Sequence, residues 1–507
     1  MMKYLYFALY LLGIAMTSTT CTTLNAYLED RERLITEENR ERMGSDLVLT
    51  EKELQVNAIF MDEKKKTIKS AIFNNTIFPP ALSFFKTKHL IDESLIFQMI
   101  SKMPKGGALH THSTSLVSTD WLVQNVTYRP HCYMCRTFDD KYRFRFFEVA
   151  PFNAECPWES IAVLRQESVN VAEFDKSLYD KFSVVINDPE IQHVTVNDVW
   201  DDFIEAFTMI DGLIQHTPVF IDYIEQAMEE FLQDNVQYLE IRADLPMLYN
   251  LDGSKYSRSY CMHIYQRQLN KFKLRHPGFS GFKIILAGNR YLSRSVIWAD
   301  LQLAVTLKHY YPELMAGYDL VFQEGRGNPH VFYINELLAV NNLRYFFHSG
   351  ETNWQGTSID NNLIDAILLN TTRIGHGFAV SKHPAVLQAT KERGIAIEVN
   401  PISNQVLHLV HDLRNHPAAM LISQNYPVVI SSDDPAVWDA KPLSHDFYET
   451  FMALCGQNDD IRVLKQLALN SLQYSVMSPG DKERAIALWH QHWEVFLNEV
   501  LAMTSSI

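Results

Sequence analysis

The sequence predicts an α/β fold of the (β/α)8 barrel class, also called the TIM barrel. Eight short and mostly apolar runs are typical of buried strands; they span residues 108–112, 236–241, 282–287, 315–322, 343–348, 372–376, 395–400 and 427–432. Helical patterns lie between most of them, at 257–276, 295–310, 330–341, 360–370 and 384–393, and another precedes the second strand at 219–234. Polar clusters follow several strands, at the edge where barrel enzymes place their active sites.

A doubly wound open sheet is the rival architecture, since it also alternates strands with helices. Only the barrel brings the first and eighth strands side by side, which joins His110 and His112 to Asp433. We therefore expect one large catalytic unit at residues 103–507, preceded by a helical arm and interrupted by an insertion.

The composition limits the classes of protein that the chain can belong to. It has 507 residues, of which 47% are hydrophobic, and this is ample for a large core. Its formal net charge of −15 argues against a nucleic-acid binder, because contacts to phosphate need clustered Lys and Arg.

Residues 1–20 have the pattern of a secretory signal peptide. Lys3 supplies a positive charge, residues 4–16 are apolar, and small residues at 17–20 offer a cleavage zone. A membrane anchor is the alternative, but the apolar run is short for a membrane span, and no later run is long enough. We therefore expect a secreted, extracellular protein.

Secretion would make glycosylation relevant. Three Asn-x-Thr sequons are candidate glycan sites, at Asn74, Asn125 and Asn370. Sequons also occur by chance, so each of the three is only a candidate.

Residues 21–102 are expected to form an N-terminal helical arm. Leu28 and Ile35, and then Leu47 and Leu54, are seven residues apart and give an apolar stripe among charged residues. Such an arm packs against the body of the protein or against a second subunit.

Residues 127–188 form an irregular block with few periodic runs, which is typical of an insertion. Cys132, Cys135 and Cys156 lie within it, and in an oxidising compartment one disulfide among the three is expected. A zinc site at the Cys-x-x-Cys pair is the alternative, although a fourth ligand at the usual spacing is missing. The block is either a stabilising flap or a surface that binds a partner or a polysaccharide, and the sequence favours neither.

A metal site is predicted at the rim of the barrel. His110 and His112 are two residues apart in a strand, so their side chains face one direction. An isolated pair of this kind is more often two half-buried histidines, but His348 and Asp433 follow other predicted strands and reach the same rim. Three imidazoles and a carboxylate suit Zn²⁺, with a water as the further ligand. We expect one zinc ion per chain.

Three further polar residues lie at this rim. Glu351 follows His348 by three residues and is placed to deliver a proton to a substrate. His376 is placed to take the proton of the water or to hold hydroxide, and Asp434 should point away from Asp433 and accept a hydrogen bond from substrate. Each also has a plain structural explanation, as a loop carboxylate, a core histidine or a helix cap. Together, at successive strand ends, they favour a metal-dependent hydrolase.

Several motifs carry a resemblance to a known family. They are Met103-Pro104-Lys105-Gly106 with His110-Thr111-His112, His348-Ser349-Gly350-Glu351, Arg373-Ile374-Gly375-His376-Gly377 and Ser432-Asp433-Asp434-Pro435. With them the chain resembles the adenosine deaminase superfamily. The signal peptide, helical arm and cysteine-bearing insertion resemble its secreted branch, the adenosine deaminase growth factors. The resemblance covers nearly the whole mature chain and is highly specific at 353–360, 370–377 and 400–406.

The resemblance implies zinc-dependent hydrolysis of adenosine or 2′-deoxyadenosine to the inosine form and ammonia. The metal ligands that it implies are His110, His112, His348 and Asp433. Glu351 would protonate the purine N1, His376 would orient the hydroxide that attacks C6, and Asp434 would bind N7. The resemblance further implies a Cys135–Cys156 disulfide, a homodimer formed through the N-terminal helices, a growth-factor-like role, and a receptor-binding insertion.

The substrate-binding residues expected from the resemblance are Asp434, Trp200, Gly350 and Ser113. Trp200 matches a family aromatic near the substrate pocket, although a core tryptophan would look the same in sequence. Ser113 stands where the family usually has an Asp that contacts the nucleoside sugar. Phe322 stands where it has a Gly whose backbone meets the purine.

These two departures leave three hypotheses. The first is a secreted zinc adenosine deaminase, which the intact Glu351, His376 and Asp434 favour. The second is an extracellular growth-factor-like signalling protein with weak or absent deaminase activity, which Ser113 and Phe322 favour. The third is a barrel metal-hydrolase that acts on another amine or amide.

Overall fold

The structure is a computed structural model that describes residues 23–504. The signal peptide predicted at 1–20, and Cys21, lie outside the described residues. Within residues 23–504, no helix has the length and apolar character needed to cross a membrane.

Eight parallel strands form the predicted barrel. They are β1 (Gly106–His112), β2 (Val236–Ala243), β3 (Gly281–Asn289), β4 (Met315–Val321), β5 (His348–Ser349), β6 (Arg373–His376), β7 (Ala396–Val399) and β8 (Val428–Ile430). Strands β1 to β4 pair in chain order, and so do β5 to β8. Parallel bridges Thr111–Asp433 and Tyr318–Tyr345 join the two halves and close the barrel. The predicted fold class is confirmed, and the open sheet is excluded.

The strands read as apolar runs because both of their faces are covered. Every residue of β2, β4, β6, β7 and β8 is buried, as expected when helices cover the outside and side chains fill the inside. Strand β5 is shorter than the predicted run at 343–348. Its first residues are extended, but they meet β4 through only two backbone hydrogen bonds, Tyr318 N–H to Arg344 O and Phe346 N–H to Tyr318 O.

Helices cover the outside of the barrel and both of its ends. Around the strands lie Val196–Ile214, Thr217–Gln233, Arg258–Arg275, Arg294–Tyr310, Ile334–Leu338, Asn362–Leu368, Pro384–Arg393, Pro401–Val406 and Ala418–Ser423, with short 3-10 helices at Glu324–Arg326, His330–Tyr333, Phe378–Lys382 and Leu413–Asn415. The C-terminal part forms Ser444–Glu449, a π-helix at Thr450–Leu454, Ile461–Gln473 and Pro479–Thr504. Its Trp489, Trp493 and Phe496 are buried in the core, as packing residues.

The segment at 127–188 is more regular than the sequence indicated. It contains three antiparallel strands, Cys132–Arg136, Tyr142–Phe146 and Glu159–Ser160, followed by helices Ile161–Glu167 and Val171–Phe182. The expectation of irregular structure was wrong because these strands have only five, five and two residues, too few to show a period. A disulfide joins Cys135 to Cys156, the pairing that the resemblance implies, and Cys132 is buried and free.

The N-terminal arm is helical, as the apolar spacing predicts. Its helices are Leu24–Glu41, Glu51–Phe73, Phe84–Glu93 and Leu95–Lys102, with a 3-10 turn at Pro79–Ala81. The first helix buries none of its residues, whereas the second buries Val56 and Phe60 against the body of the protein. All three sequon asparagines are exposed, and their glycosylation stays a prediction.

Glu53 both starts the second helix and attaches it to the C-terminal helices. Its carboxylate accepts the Thr50 backbone N–H at 2.8 Å, while the Thr50 hydroxyl accepts the Glu53 N–H, which makes a capping box. The other carboxylate oxygen accepts hydrogen bonds from Lys465 Nζ at 2.6 Å and Trp493 Nε1 at 2.8 Å. One buried side chain therefore both caps the second helix and ties it to the C-terminal helices.

We expect Glu53→Ala to lower the free energy of unfolding by about 2–4 kcal/mol, because it removes the cap and leaves the partly buried Lys465 without its partner. Urea unfolding followed by tryptophan fluorescence, with hydrogen exchange over 51–73, measures the change. Glu51→Ala is the matched control, since Glu51 is exposed in the same helical turn. Equal losses from the two substitutions would contradict the attachment role of Glu53.

Candidate active site

Four side chains meet at the C-terminal end of the barrel. His110 Nε2 lies 3.1 Å from His348 Nε2 and 3.2 Å from Asp433 Oδ1, and His112 Nε2 lies 3.0 Å from the same carboxylate oxygen. One ligand atom from each of the four lies within 4.8 Å of all the others. A tetrahedral ion with bonds of about 2 Å places its ligand atoms a little over 3 Å apart.

The donor set fits a divalent metal ion. Asp433 Oδ1 is buried and, among residues 23–504, has no hydrogen-bond partner. A buried carboxylate oxygen without a donor is costly unless a cation satisfies it. The structure thus brings together all four of the metal ligands that the sequence predicts.

Barrel closure places Asp433 against the two histidines of β1. The Asp433 N–H donates to His110 O, and the His112 N–H donates to Asp433 O, both at 3.1 Å. Asp433 has a φ of +58°, a left-handed conformation that is costly for a residue with a side chain. The two backbone bonds hold this conformation and direct the carboxylate toward the imidazoles.

Two buried carboxylates orient the ligand histidines from behind. Glu398 Oε2 lies 2.8 Å from His110 Nδ1, and Asp319 Oδ2 lies 2.6 Å from His348 Nδ1. Each Nδ1 therefore carries the proton and donates it, which leaves each Nε2 with a lone pair facing the metal position. The tautomer that metal binding needs is set by these contacts.

Two arginines fix those carboxylates in turn. Arg242 donates to Asp319 at 2.7 Å and to Glu398 at 2.6 Å. Arg373 donates to Glu398 and to Glu240, both at 2.6 Å. Although burial alone would raise the pKa of Glu398, the charges of Arg242 and Arg373 lower it below its usual range. The network contains three carboxylates and two guanidiniums. One carboxylate is therefore in excess beneath the metal position.

Glu351 is poised as an acid. It is buried, and its burial, together with the charges of Asp433 and Glu324, raises its pKa well above the usual range of a carboxyl. Its backbone N–H donates to Glu324 Oε2 at 2.5 Å, which fixes the turn after β5. At neutral pH a carboxyl in such a place holds a proton that it can transfer.

A relay of hydrogen bonds sets the tautomer of His376. The backbone N–H of Ala418 donates to His416 Nδ1 at 3.0 Å, so His416 Nε2 carries its proton and donates to Asn404 Oδ1 at 2.9 Å. The Asn404 amide then donates to His376 Nδ1 at 3.1 Å. His376 Nε2 therefore carries a proton and lies 3.8 Å from Asp433 Oδ2.

Burial keeps His376 neutral by lowering its pKa to about 3. A neutral imidazole with its proton on Nε2 is a hydrogen-bond donor at that atom. Of the two roles considered from the sequence, this geometry favours holding hydroxide over taking the proton of the water.

Asp434 faces the substrate side of the metal cluster. Its Oδ1 accepts a hydrogen bond from the Ser115 hydroxyl. Burial and the charge of neighbouring Asp433 raise the pKa of Asp434 well above its usual range. A raised pKa favours the protonated form of Asp434, which can donate a hydrogen bond to a ligand acceptor, whereas the sequence suggested only an acceptor.

A cavity opens above the metal cluster, with about 860 Å³ of empty space that includes open solvent at its mouth. Its lining includes His112, Ser113, Trp200, Phe203, Phe207, Asp211, Arg242, Asp244, Phe322, His348, Glu351, His376, Asp433 and Asp434. This mixture of apolar wall and few polar groups suits a small organic ligand. Trp200 and Ser113 thus lie at the cavity, where the resemblance places them.

Phe322 and Gly350 differ in how they relate to the cavity. Phe322 has a φ of +77° and its ring lies in the cavity wall, with its centroid 5.9 Å from that of Tyr291. Gly350 also has a φ of +77°, and a Cβ there would approach Leu363 to within 2.8 Å. Its glycine is explained by this packing, and a role in substrate binding stays a prediction.

The sequence analysis missed the residues behind the ligands. Glu240, Arg242, Asp319 and Glu398 sit inside otherwise apolar strands, and a charged residue in a fully buried strand is a signal of a paired interior network. No such pattern marks Asn404 or His416 in the sequence, because they lie in the short helix and the loop that follow β7. Asp211 was missed because it lies in a helix whose position the sequence does not fix.

Comparisons with known proteins show which family the chain resembles along most of its length. The family model for adenosine deaminase matches residues 185–488, and the one for the adenosine/AMP deaminase N-terminal region matches residues 6–100. The chain is 46% identical to Adenosine deaminase 2 of Pongo abelii and 45% identical to Adenosine deaminase 2 of Homo sapiens, in each case over 478 residues and 93% of both chains. The solved structure of Arabidopsis ADAL complexed with IMP is similar in fold, with a TM-score of 0.56 at 15% identity over 78% of this chain and 99% of that one.

We expect Asp319→Asn to weaken metal binding by about ten- to hundredfold, because the amide no longer fixes the His348 tautomer and Arg242 loses one of its two carboxylate partners. Competition with a chelator, read as metal content per chain, measures the change. Asp62→Asn, on an exposed helical face, is the control. Unchanged affinity in Asp319→Asn would show that Asp319 does not orient the ligand.

Proposed function

Because the chain belongs to the adenosine deaminase family, we propose that it hydrolyses adenosine or 2′-deoxyadenosine to the inosine form and ammonia, with one zinc ion per chain. One observation carries the proposal: the metal cluster, Glu351, His376 and Asp434 all lie at one cavity. A zinc ion held by the four ligands would supply an activated water at neutral pH.

His376 holds the attacking oxygen in place. Its Nε2–H points to the side of Asp433 where the cluster opens into the cavity. Because Asn404 occupies Nδ1, the ring cannot turn over without losing that hydrogen bond. The residue therefore aims a lone pair of the oxygen at C6 of the purine.

Glu351 supplies the proton that the purine ring needs. When it protonates N1, C6 becomes a better electrophile and accepts the oxygen of water. The C6–N6 bond then breaks, and the amino group leaves as ammonia with one of the two protons of the water. The other water proton restores Glu351, and the oxygen remains as the carbonyl of the inosine form. Asp434, which carries a proton, donates a hydrogen bond to N7 and fixes the base in this orientation.

The remaining parts of the proposal concern the setting of the enzyme. We infer a secreted glycoprotein that forms a homodimer through its N-terminal helices, with growth-factor-like activity and a receptor- or polysaccharide-binding surface at 127–188. The apolar side chains of the first helix support the dimer, since Leu24, Tyr27 and Leu28 are all at least half exposed in the single chain. Exposed sequons at Asn74 and Asn125 are compatible with glycosylation.

A second candidate is a signalling protein with weak or absent deaminase activity. Phe322 favours it, because its phenyl ring occupies wall space in the cavity at a position where the family has glycine. Steady-state assay of adenosine loss by its ultraviolet shift, with zinc content measured in parallel, separates the candidates. Turnover at one zinc per chain supports the enzyme, and zinc without turnover supports the signalling protein.

Glu351→Gln is expected to abolish deamination while zinc stays bound. The amide keeps the size and the hydrogen-bonding capacity of the side chain but has no acidic proton to give to N1. Measurements of turnover and of zinc content on the same sample test this. Full activity in Glu351→Gln would remove Glu351 from the mechanism.

Asn404→Asp is expected to lower kcat by roughly a hundredfold or more with a small effect on KM. The carboxylate has the same size but accepts a hydrogen bond from Nδ1, so it favours the opposite His376 tautomer. Steady-state kinetics with zinc analysis measures the effect, and Asn335→Asp on an exposed helix is the control. A kcat equal to that of the control would contradict the relay.

A further inference from the structure

The wall of the cavity away from Glu351 holds an acidic group in otherwise aromatic surroundings. Asp211 and Asp244 line it together with Ser113, beside Phe203 and Phe207. Neither carboxylate belongs to the metal cluster or to the proton-transfer residues. Both need a role, because carboxylates in an apolar ligand pocket are there to select what binds.

The strand register explains how Asp244 reaches this wall. In the β1–β2 ladder His112 stands opposite Arg242, and the Ser113 N–H donates to Arg242 O at 2.8 Å. The next residues along both strands are therefore neighbours, and Ser113 and Asp244 line the same cavity. A carboxylate thus lies beside position 113 although residue 113 itself is a serine.

Asp211 completes the pair from the helix Val196–Ile214. Burial and the charge of Asp244 raise the pKa of Asp211 to about 7, so near neutral pH Asp211 carries a proton part of the time. Asp244 remains accessible from the cavity. Burial raises the pKa of Asp244 as well, and the charge of Arg258 opposes that shift. Such a pair offers both acceptors and a donor, which suits alcohol groups, and an ionised carboxylate in it repels phosphate.

We propose that Asp244, beside Ser113 and on the same cavity wall as Asp211, binds sugar hydroxyls of the substrate and selects unphosphorylated nucleosides. This assignment rests on the proposed function and deepens it. It replaces the sugar-binding carboxylate that is absent at position 113 with one from the neighbouring strand. Asp244 is thereby a specificity determinant, and its role is in binding rather than in proton transfer.

The first test is kinetic. Asp244→Asn should lower kcat/KM for adenosine roughly ten- to hundredfold, mainly through KM, since a charged hydrogen bond to a hydroxyl is lost. One of 2′-, 3′- and 5′-deoxyadenosine, the one lacking the hydroxyl that Asp244 binds, should be insensitive to the substitution. Equal losses with all three deoxynucleosides, or no loss with adenosine, would overturn the assignment.

The second test places the carboxylate at position 113 instead of position 244. Adding Ser113→Asp to Asp244→Asn should restore at least part of the lost kcat/KM, whereas Ser113→Asp alone places like charges together and should not improve the enzyme.

The Asp211→Asn, Asp244→Asn double variant should raise kcat/KM for adenosine 5′-monophosphate relative to adenosine by at least tenfold. Asp62→Asn is the control on an exposed face. No restoration, or an unchanged ratio, would overturn the assignment.

Binding separates this inference from the proposed function. Purine riboside has no 6-amino group to lose, so it binds without being deaminated. Titration calorimetry of zinc-loaded protein with this ligand therefore measures sugar recognition separately from turnover. Weaker binding in Asp244→Asn without wild-type turnover would support the hydroxyl site and reject the adenosine reaction. Wild-type turnover with equal riboside affinity in both proteins would reject the hydroxyl site alone.

Discussion

The active end of the barrel depends on the hydrogen bonds that the fully buried guanidinium of Arg242 makes. It bridges Asp319 and Glu398, and each of these carboxylates orients one ligand histidine. Five charged side chains buried away from solvent are unfavourable unless each is paired. These pairs form completely only when β2, β4, β6 and β7 are all in register. The barrel therefore closes and the ligand histidines become oriented in the same step.

The same dependence extends to the groups that act on substrate. Asp433 and His376 both have left-handed backbone conformations, with φ of +58°, and both are fixed by bonds from neighbouring strands or loops. Strain of this kind persists only where the surroundings over-determine it. Because the relay through His416 and Asn404 begins at a backbone N–H, the proton on His376 Nε2 is set by the fold and not by the solution.

Much of the fold and of the metal cluster follows from the sequence, for a physical reason. Parallel strands end at one edge, so polar residues that follow separate apolar runs, such as His112, His348 and Asp433, must meet if the barrel closes. The short strands at 132–160 lacked a period long enough to recognise. The cavity wall at Trp200 and Asp211 depends on how the helix Val196–Ile214 packs over the barrel, which no local pattern determines.

The cavity therefore has two halves of different origin. The metal half is made by strand ends tied into the buried charge network, where a single substitution disturbs several partners at once. The opposite half is made by a helix and by residues just beyond β1, β2 and β4, which include Ser113, Asp244 and Phe322 and take no part in that network. Substitutions there change what the cavity accepts and leave the metal ligands in place. This separation accommodates the departures from the family pattern that the resemblance indicates at Ser113 and Phe322, because neither residue takes part in the charge network behind the candidate metal ligands.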